Sequence, residues 1–95
     1  MEIKIQAIRF EPTEKLQDFI HKKVGKLEKF SDEIRKVEVS MKVVKPETAM
    51  NKEVSIRVGD LFVEKVCDTF EEAIDNCMEA LLKQVQKSKE KHQNR

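Results

Sequence analysis

Apolar and polar positions alternate in four stretches of the chain and recur every three or four residues in two others. Over residues 1–8, Met1, Ile3, Ile5 and Ala7 share one face and Glu2, Lys4 and Gln6 the other, with Ile8 and Phe10 breaking the polar side. A period of two predicts a strand with one buried face. Glu11-Pro12-Thr13 interrupts it, and Thr13 is placed to cap a helix whose first turn opens on Glu14. Leu16, Phe19, Ile20, Val24, Leu27 and Phe30 then fall at spacings of three and four, and Ser31-Asp32-Glu33 closes the run. This predicts an amphipathic helix of about four turns. Gly25 lies inside it at a cost of about 1 kcal/mol relative to Ala, which predicts close packing against a sheet.

Alternation returns from Arg35 to Val44 and again at Val54, Ile56 and Val58. Between them, Lys45 to Asn51 reads as a loop, because Pro46 has no N–H to give to a sheet ladder. Gly59-Asp60 is a two-residue hairpin turn, and Leu61 to Cys67 returns as the fourth strand. Thr69 and Glu72 have the spacing of a capping box. The apolar stripe of a second helix follows, from Phe70 through Ala73, Ile74, Cys77, Met78 and Leu81 to Val85. Good helix formers continue to Lys91, so the last turns are expected to be solvated or bound to something else. The order β-α-β-β-β-α predicts an α+β fold. The helix between the first two strands favours a parallel, right-handed crossover, and the other strands pair antiparallel. One apolar face per strand and one stripe per helix place both helices on one face of a four-stranded mixed sheet, with the other face wet.

Length and composition narrow the class. Ninety-five residues, without internal repeat or linker, are expected to form a single domain over 1–95. A chain this short buries about 60–65% of its unfolded surface. No apolar run reaches the roughly 18 residues of a membrane span, and no signal peptide is read ahead of Glu2 and Lys4. Cys67 and Cys77 are too few for a disulfide scaffold. A cytoplasmic protein without a membrane partner is expected.

Nineteen Lys and Arg against eighteen Asp and Glu leave a net charge of only +1, which argues against a nucleic-acid partner only if the charges are evenly spread. At about 100° per residue, Lys15, Lys22, Lys26 and Lys29 fall in one row on the first helix, with Lys23 between that row and the apolar stripe. Residues 15–29 carry five lysines against Asp18 and Glu28, a net +3. In the second helix Lys83, Lys87 and Lys91 recur every four residues. With Lys89 and Arg95 against Glu90, the basic tail over 83–95 carries +4. The rest of the chain therefore holds −6, much of it in Asp68, Glu71, Glu72, Asp75 and Glu79. Acids early and lysines late in a helix also suit its macrodipole, but the second cluster runs on past the last apolar residue. Two such rows on one side of a sheet make the electrostatic footprint of a polyanion binder.

Other chemistry is poorly supplied. There is no Trp or Tyr, and of five Phe only Phe10 and Phe62 are free of the helix stripes. Base stacking on aromatic platforms is therefore disfavoured against binding of structured RNA through backbone and shape. Cys77 falls on the core stripe, zinc-ligand spacing is absent, and two Gly cannot build a phosphate-cradling loop. No enzyme activity, metal, cofactor or small-molecule substrate is expected.

The ordered set of features resembles a family. Thr13-Glu14 opening the first helix, Lys26-Leu27-Glu28-Lys29 near its end, Phe70-Glu71-Glu72-Ala73-Ile74-Asp75, and the tail with Lys83-Gln84, Lys87, Lys89 and Lys91 are similar to the bacterial ribosome hibernation-promoting factors. These are also called ribosome-associated inhibitors or sigma-54 modulation proteins. The resemblance spans essentially the whole chain. It implies a fold like the double-stranded-RNA-binding domain, docked in the decoding channel of the small ribosomal subunit. There it blocks the messenger and transfer RNA sites in starved or stationary cells. By position it implies rRNA contacts for Lys23, Lys26, Lys83, Lys87 and Lys91, while Lys22, Lys29 and Lys89 join them from the helix pattern. Thr69-Phe70-Glu71 stands where many relatives read Asp-Met-Tyr, and Ala80 where they often carry Lys. Ending at Arg95, the chain looks like a short form without the ribosome-pairing C-terminal domain, so a second, ribosome-dimerising factor is a candidate partner. Two other readings compete: a protein-interaction regulator whose acidic remainder meets a sigma factor, and a general double-stranded-RNA binder.

Overall fold

A computed structural model describes residues 1–29, 34–44 and 50–93, of which 86–93 are described through their backbone alone. The elements are β1 (Glu2–Ala7), α1 (Glu14–Val24), a 3₁₀ segment (Gly25–Lys29), β2 (Lys36–Val43), β3 (Lys52–Val58), β4 (Leu61–Cys67) and α2 (Phe70–Gln93). The four strands form one mixed sheet in the order β1-β2-β3-β4. β1 pairs parallel with β2, Ile3 opposite Val37 and Ile5 opposite Val39. β2–β3 and β3–β4 are antiparallel, as the predicted hairpins require.

Local chemistry sets the boundaries. The Thr13 hydroxyl accepts the Leu16 N–H at 3.1 Å, and the Thr69 hydroxyl accepts that of Glu72 at 3.1 Å. Each satisfies a backbone donor that the first helical turn leaves without a partner. Gly59 takes φ +58° at the first central position of the β3–β4 turn, a conformation that disfavours any residue with a Cβ. Arg9 also has a positive φ, 66°, where the chain bends out of β1.

The first helix departs from its predicted form. The α-helix stops at Val24 and tightens into the 3₁₀ segment, so Gly25 caps it rather than lying inside it. The reason lies in the apolar stripe. Val24 and Leu27 are both wholly buried. Three 3₁₀ steps of about 120° bring Leu27 back over Val24, whereas three α-helical steps of about 100° leave it about 60° off the core. Nor is Gly25 there for close packing: a Cβ at this position meets no atom within 4 Å, and its φ of −58° suits any residue. Phe30 and Ser31-Asp32-Glu33, read as the end of this helix, lie outside the described residues, as does 45–49 of the predicted loop.

Both helices cover one face of the sheet. Ile20, Val24 and Leu27 from the first helical segment and Ala73, Ile74, Cys77 and Leu81 from α2 meet Val37, Val39, Met41, Val54 and Ile56, all of them buried. The opposite face is polar and electrically balanced. Lys4, Lys36, Lys42 and Arg57 share it with Glu2, Glu38, Glu53 and Glu64. Lys42 pairs with Glu53 at 3.1 Å across the β2–β3 ladder, and Lys36 with Glu38 at 3.4 Å along β2. A surface whose charges cancel locally exerts little pull on a distant polyanion, which directs attention to the helices.

Candidate nucleic-acid interface

The topology brings the basic ends of the two helices to one side of the molecule. α1 links two parallel strands and so runs back against both. β4 is parallel to β2 through two antiparallel steps, and α2, packed on β3 and β4, runs back in turn. The two helices therefore point the same way, and their C-terminal ends lie by the start of β1. A contact at that end agrees, since the Met1 ammonium meets Glu28 of the 3₁₀ segment at 3.2 Å.

Lys22, Lys26 and Lys29 are exposed and have no ion-pair partner among the described residues. Glu28, the one carboxylate of the 3₁₀ segment, is turned to the chain terminus instead. Tightening also rearranges the predicted row. At about 120° per residue Lys26 and Lys29 eclipse one another, and Lys23 falls within about 20° of them, while Lys15 and Lys22 lie further round. Lys23 is the exception in environment. Half-buried, it pairs with Asp75 of α2 at 3.4 Å, and its Nζ sits 5.5 Å from the centre of the Phe19 ring.

Lys83 is exposed and lies 3.7 Å from Glu79, four residues back on α2. The Lys23 ammonium and the Asp75 carboxylate meet at 3.4 Å, which sets the two helices at one level to within the reach of a lysine side chain. Eight α-helical residues carry Lys83 about 12 Å beyond Asp75, and six residues, mostly 3₁₀, carry Lys29 about the same distance beyond Lys23. The two lysines thus stand at similar heights on neighbouring helices. Lys87, Lys89 and Lys91 continue α2, but their side chains lie outside the described residues. At 24 residues α2 is about 36 Å long, against about 23 Å for the seven-residue strands. Its basic end therefore runs past the sheet.

Sequence reasoning missed Asp75 as the partner of Lys23 and Met1 as the partner of Glu28. Asp75 was visible only as one acid among five, and the terminal ammonium carries no residue signal at all. Aromatic chemistry is sparse here. Phe10 is half-buried and stacks on Phe70 with ring centres 5.0 Å apart, while Phe62 is 47% exposed with the Arg57 guanidinium 5.2 Å above it. Among the described residues no group of three or more His, Cys, Asp or Glu is arranged to hold a metal ion, and no helix is long and apolar enough to cross a membrane.

Residues 3–93 match the family described as sigma 54 modulation protein / S30EA ribosomal protein. The chain belongs to this family. The match takes in every strand and both helices, so the basic end of α2 lies within the family pattern. The chain is 30% identical over 94 residues to a ribosome hibernation promoting factor of Pseudomonas putida, covering 99% of this chain and 92% of that one. It is also 30% identical over 91 residues to the ribosome hibernation promoting factor of Escherichia coli, covering 96% of each. Among solved structures, the N-terminal domain of Thermus thermophilus Protein Y superposes with a TM-score of 0.75 at 24% identity, over 92% of this chain and 98% of that one. A ribosomal subunit interface protein from Coxiella burnetii gives 0.71 at 19% identity, over 94% and 98%. At these identities the structural likeness establishes the shared fold.

Proposed function

We propose that this protein is a ribosome-associated translation inhibitor, a hibernation-promoting factor that binds ribosomal RNA in the decoding channel of the small subunit. The observation that carries the reading is the exposed lysine set at the common end of α1 and α2, on a domain whose open sheet face is neutral. Membership of the family and relatives named ribosome hibernation promoting factors over nearly their whole length support it.

The mechanism is occlusion. Residues 1–95 act as one ribosome-binding domain in the cytoplasm. The helical face lies on the RNA, and the bulk of the domain fills space that messenger and transfer RNA need. Lys22, Lys23, Lys26 and Lys29, with Lys83, Lys87, Lys89 and Lys91, supply phosphate contacts, which position a protein on RNA without reading its sequence. No bond is made or broken, so neither cofactor nor metal has a part. With one well-exposed Phe on the sheet, recognition proceeds by backbone and shape.

The test is co-sedimentation with separated ribosomal subunits, alongside translation in vitro. The protein should travel with small subunits and lower translation in proportion to occupancy. Failure to co-sediment at low salt overturns the reading.

A further inference from the structure

Among the described residues, Lys23 differs in its contacts from every other lysine of the first helical segment. It shares a meridian with Lys26 and Lys29, one 3₁₀ turn of about 6 Å apart, so a phosphate chain lying along those two reaches Lys23 next. Yet among the described residues Lys23 is the one of the three that is already engaged, by a carboxylate on the other helix at 3.4 Å and by the ring of Phe19 beneath it. Its side chain is 31% exposed and that of Asp75 is 53% exposed, so the pair lies open to an incoming ligand. The contact bridges two elements, which the geometry of a single helix does not impose. A carboxylate is chemically the nearest thing the chain has to a phosphate oxygen, and Arg or Lys donates to either.

We propose that Asp75 is an internal competitor for RNA: it occupies Lys23 in the free protein and is displaced when a phosphate docks, so it sets the affinity of the basic surface. This rests on the reading of that surface as an RNA interface. Its consequence is that the free protein withholds one cation from any polyanion it meets. Duplexes that offer only a few phosphates gain little from Lys23, and binding requires a partner that engages Lys26, Lys29 and α2 together. Asp75 is thus an affinity-setting residue acting through Lys23, and it contacts no RNA once docking is complete.

A double-mutant cycle tests this on the full chain, with Asp75→Asn, Lys23→Ala and the pair combined. Affinity is measured against salt for a naked RNA duplex by fluorescence anisotropy and for small subunits by co-sedimentation. Asp75→Asn should bind the duplex about two- to fivefold more tightly at low salt, the range of an exposed ion pair. Because Lys23 meets a phosphate in both proteins once docked, the log–log salt slope should change by less than one contact, about 0.9. The gain in affinity should vanish in the Lys23→Ala background. Asp75→Glu, which keeps a carboxylate at the site, should behave as the unsubstituted protein, and thermal unfolding checks that every variant is folded. An unchanged affinity in Asp75→Asn overturns the proposal. So does an equal gain with Lys23 removed, which would mark plain long-range repulsion. If the unsubstituted protein binds duplex but not small subunits, the ribosomal reading fails and the cycle on the duplex still decides the role of Asp75. If it binds neither, both fall.

Discussion

Cys77 is wholly buried on α2, and its thiol donates to the Val54 carbonyl across the core at 3.4 Å. Burial pushes the thiol up from 9.0 to about 12, and the nearby Lys65 pulls it only partly back. Since the thiolate is the reactive form, Cys77 should resist alkylation by iodoacetamide at pH 8 in the folded protein and react once the chain is unfolded in denaturant. Mass spectrometry of the labelled peptide reads this directly. The same shift sets a pH dependence. Below pH 9.0 the thiol is protonated in both states and stability is unaffected. Above it the unfolded chain releases a proton that the fold retains, so stability falls between 9.0 and about 12, at no more than about 1.4 kcal/mol per pH unit. Denaturant melts across that window should show the loss, and Cys77→Ala should remove this part of it.

At the scale of elements, the two glycines of the chain make opposite predictions. Gly25 has helical dihedrals and open space where a Cβ would stand. Gly25→Ala should therefore stabilise by about 0.4–1 kcal/mol, chiefly by narrowing the unfolded ensemble. Gly59 sits at φ +58° in the β3–β4 turn, so Gly59→Ala should destabilise by about 1 kcal/mol or more. Equilibrium unfolding in urea measures both. Most elements were legible in the sequence because their periods are unambiguous. Val37, Val39 and Met41 alternate cleanly into a buried face, and Thr13 and Thr69 announce their helices by hydroxyls placed three residues ahead of a free N–H. The close of the first helix was not legible. A spacing of three, Val24 to Leu27, satisfies an α-helical stripe and a 3₁₀ turn equally, and only the wall of the sheet decides between them. The pairing of Lys23 with Asp75 was hidden for a related reason: it depends on how two helices far apart in sequence lie side by side.

For the whole molecule, a net charge of +1 describes a domain divided along its length. Both helices begin among carboxylates, Glu14 on one and Glu71 and Glu72 on the other, and the first ends among Lys22, Lys26 and Lys29 while Lys83 begins the basic end of the second. Each lysine that neutralises a phosphate contributes about 0.9 to the salt slope. Replacing Lys83, Lys87 and Lys91 together with Ala should flatten the slope for small-subunit binding by up to about 2.7. An unchanged slope would mean that the end of α2 is only a solvated helix. The same shared direction of the helices acts before any contact forms. A body with separated poles turns in the field of a polyanion as it approaches, so a larger share of collisions arrives lysine end first. Orientation during diffusion raises the association rate, and salt screens it beyond a Debye length of about 10 Å at 0.1 M. On the proposed reading, two co-directional helices thus determine how quickly the protein finds its target, as well as how firmly it is held.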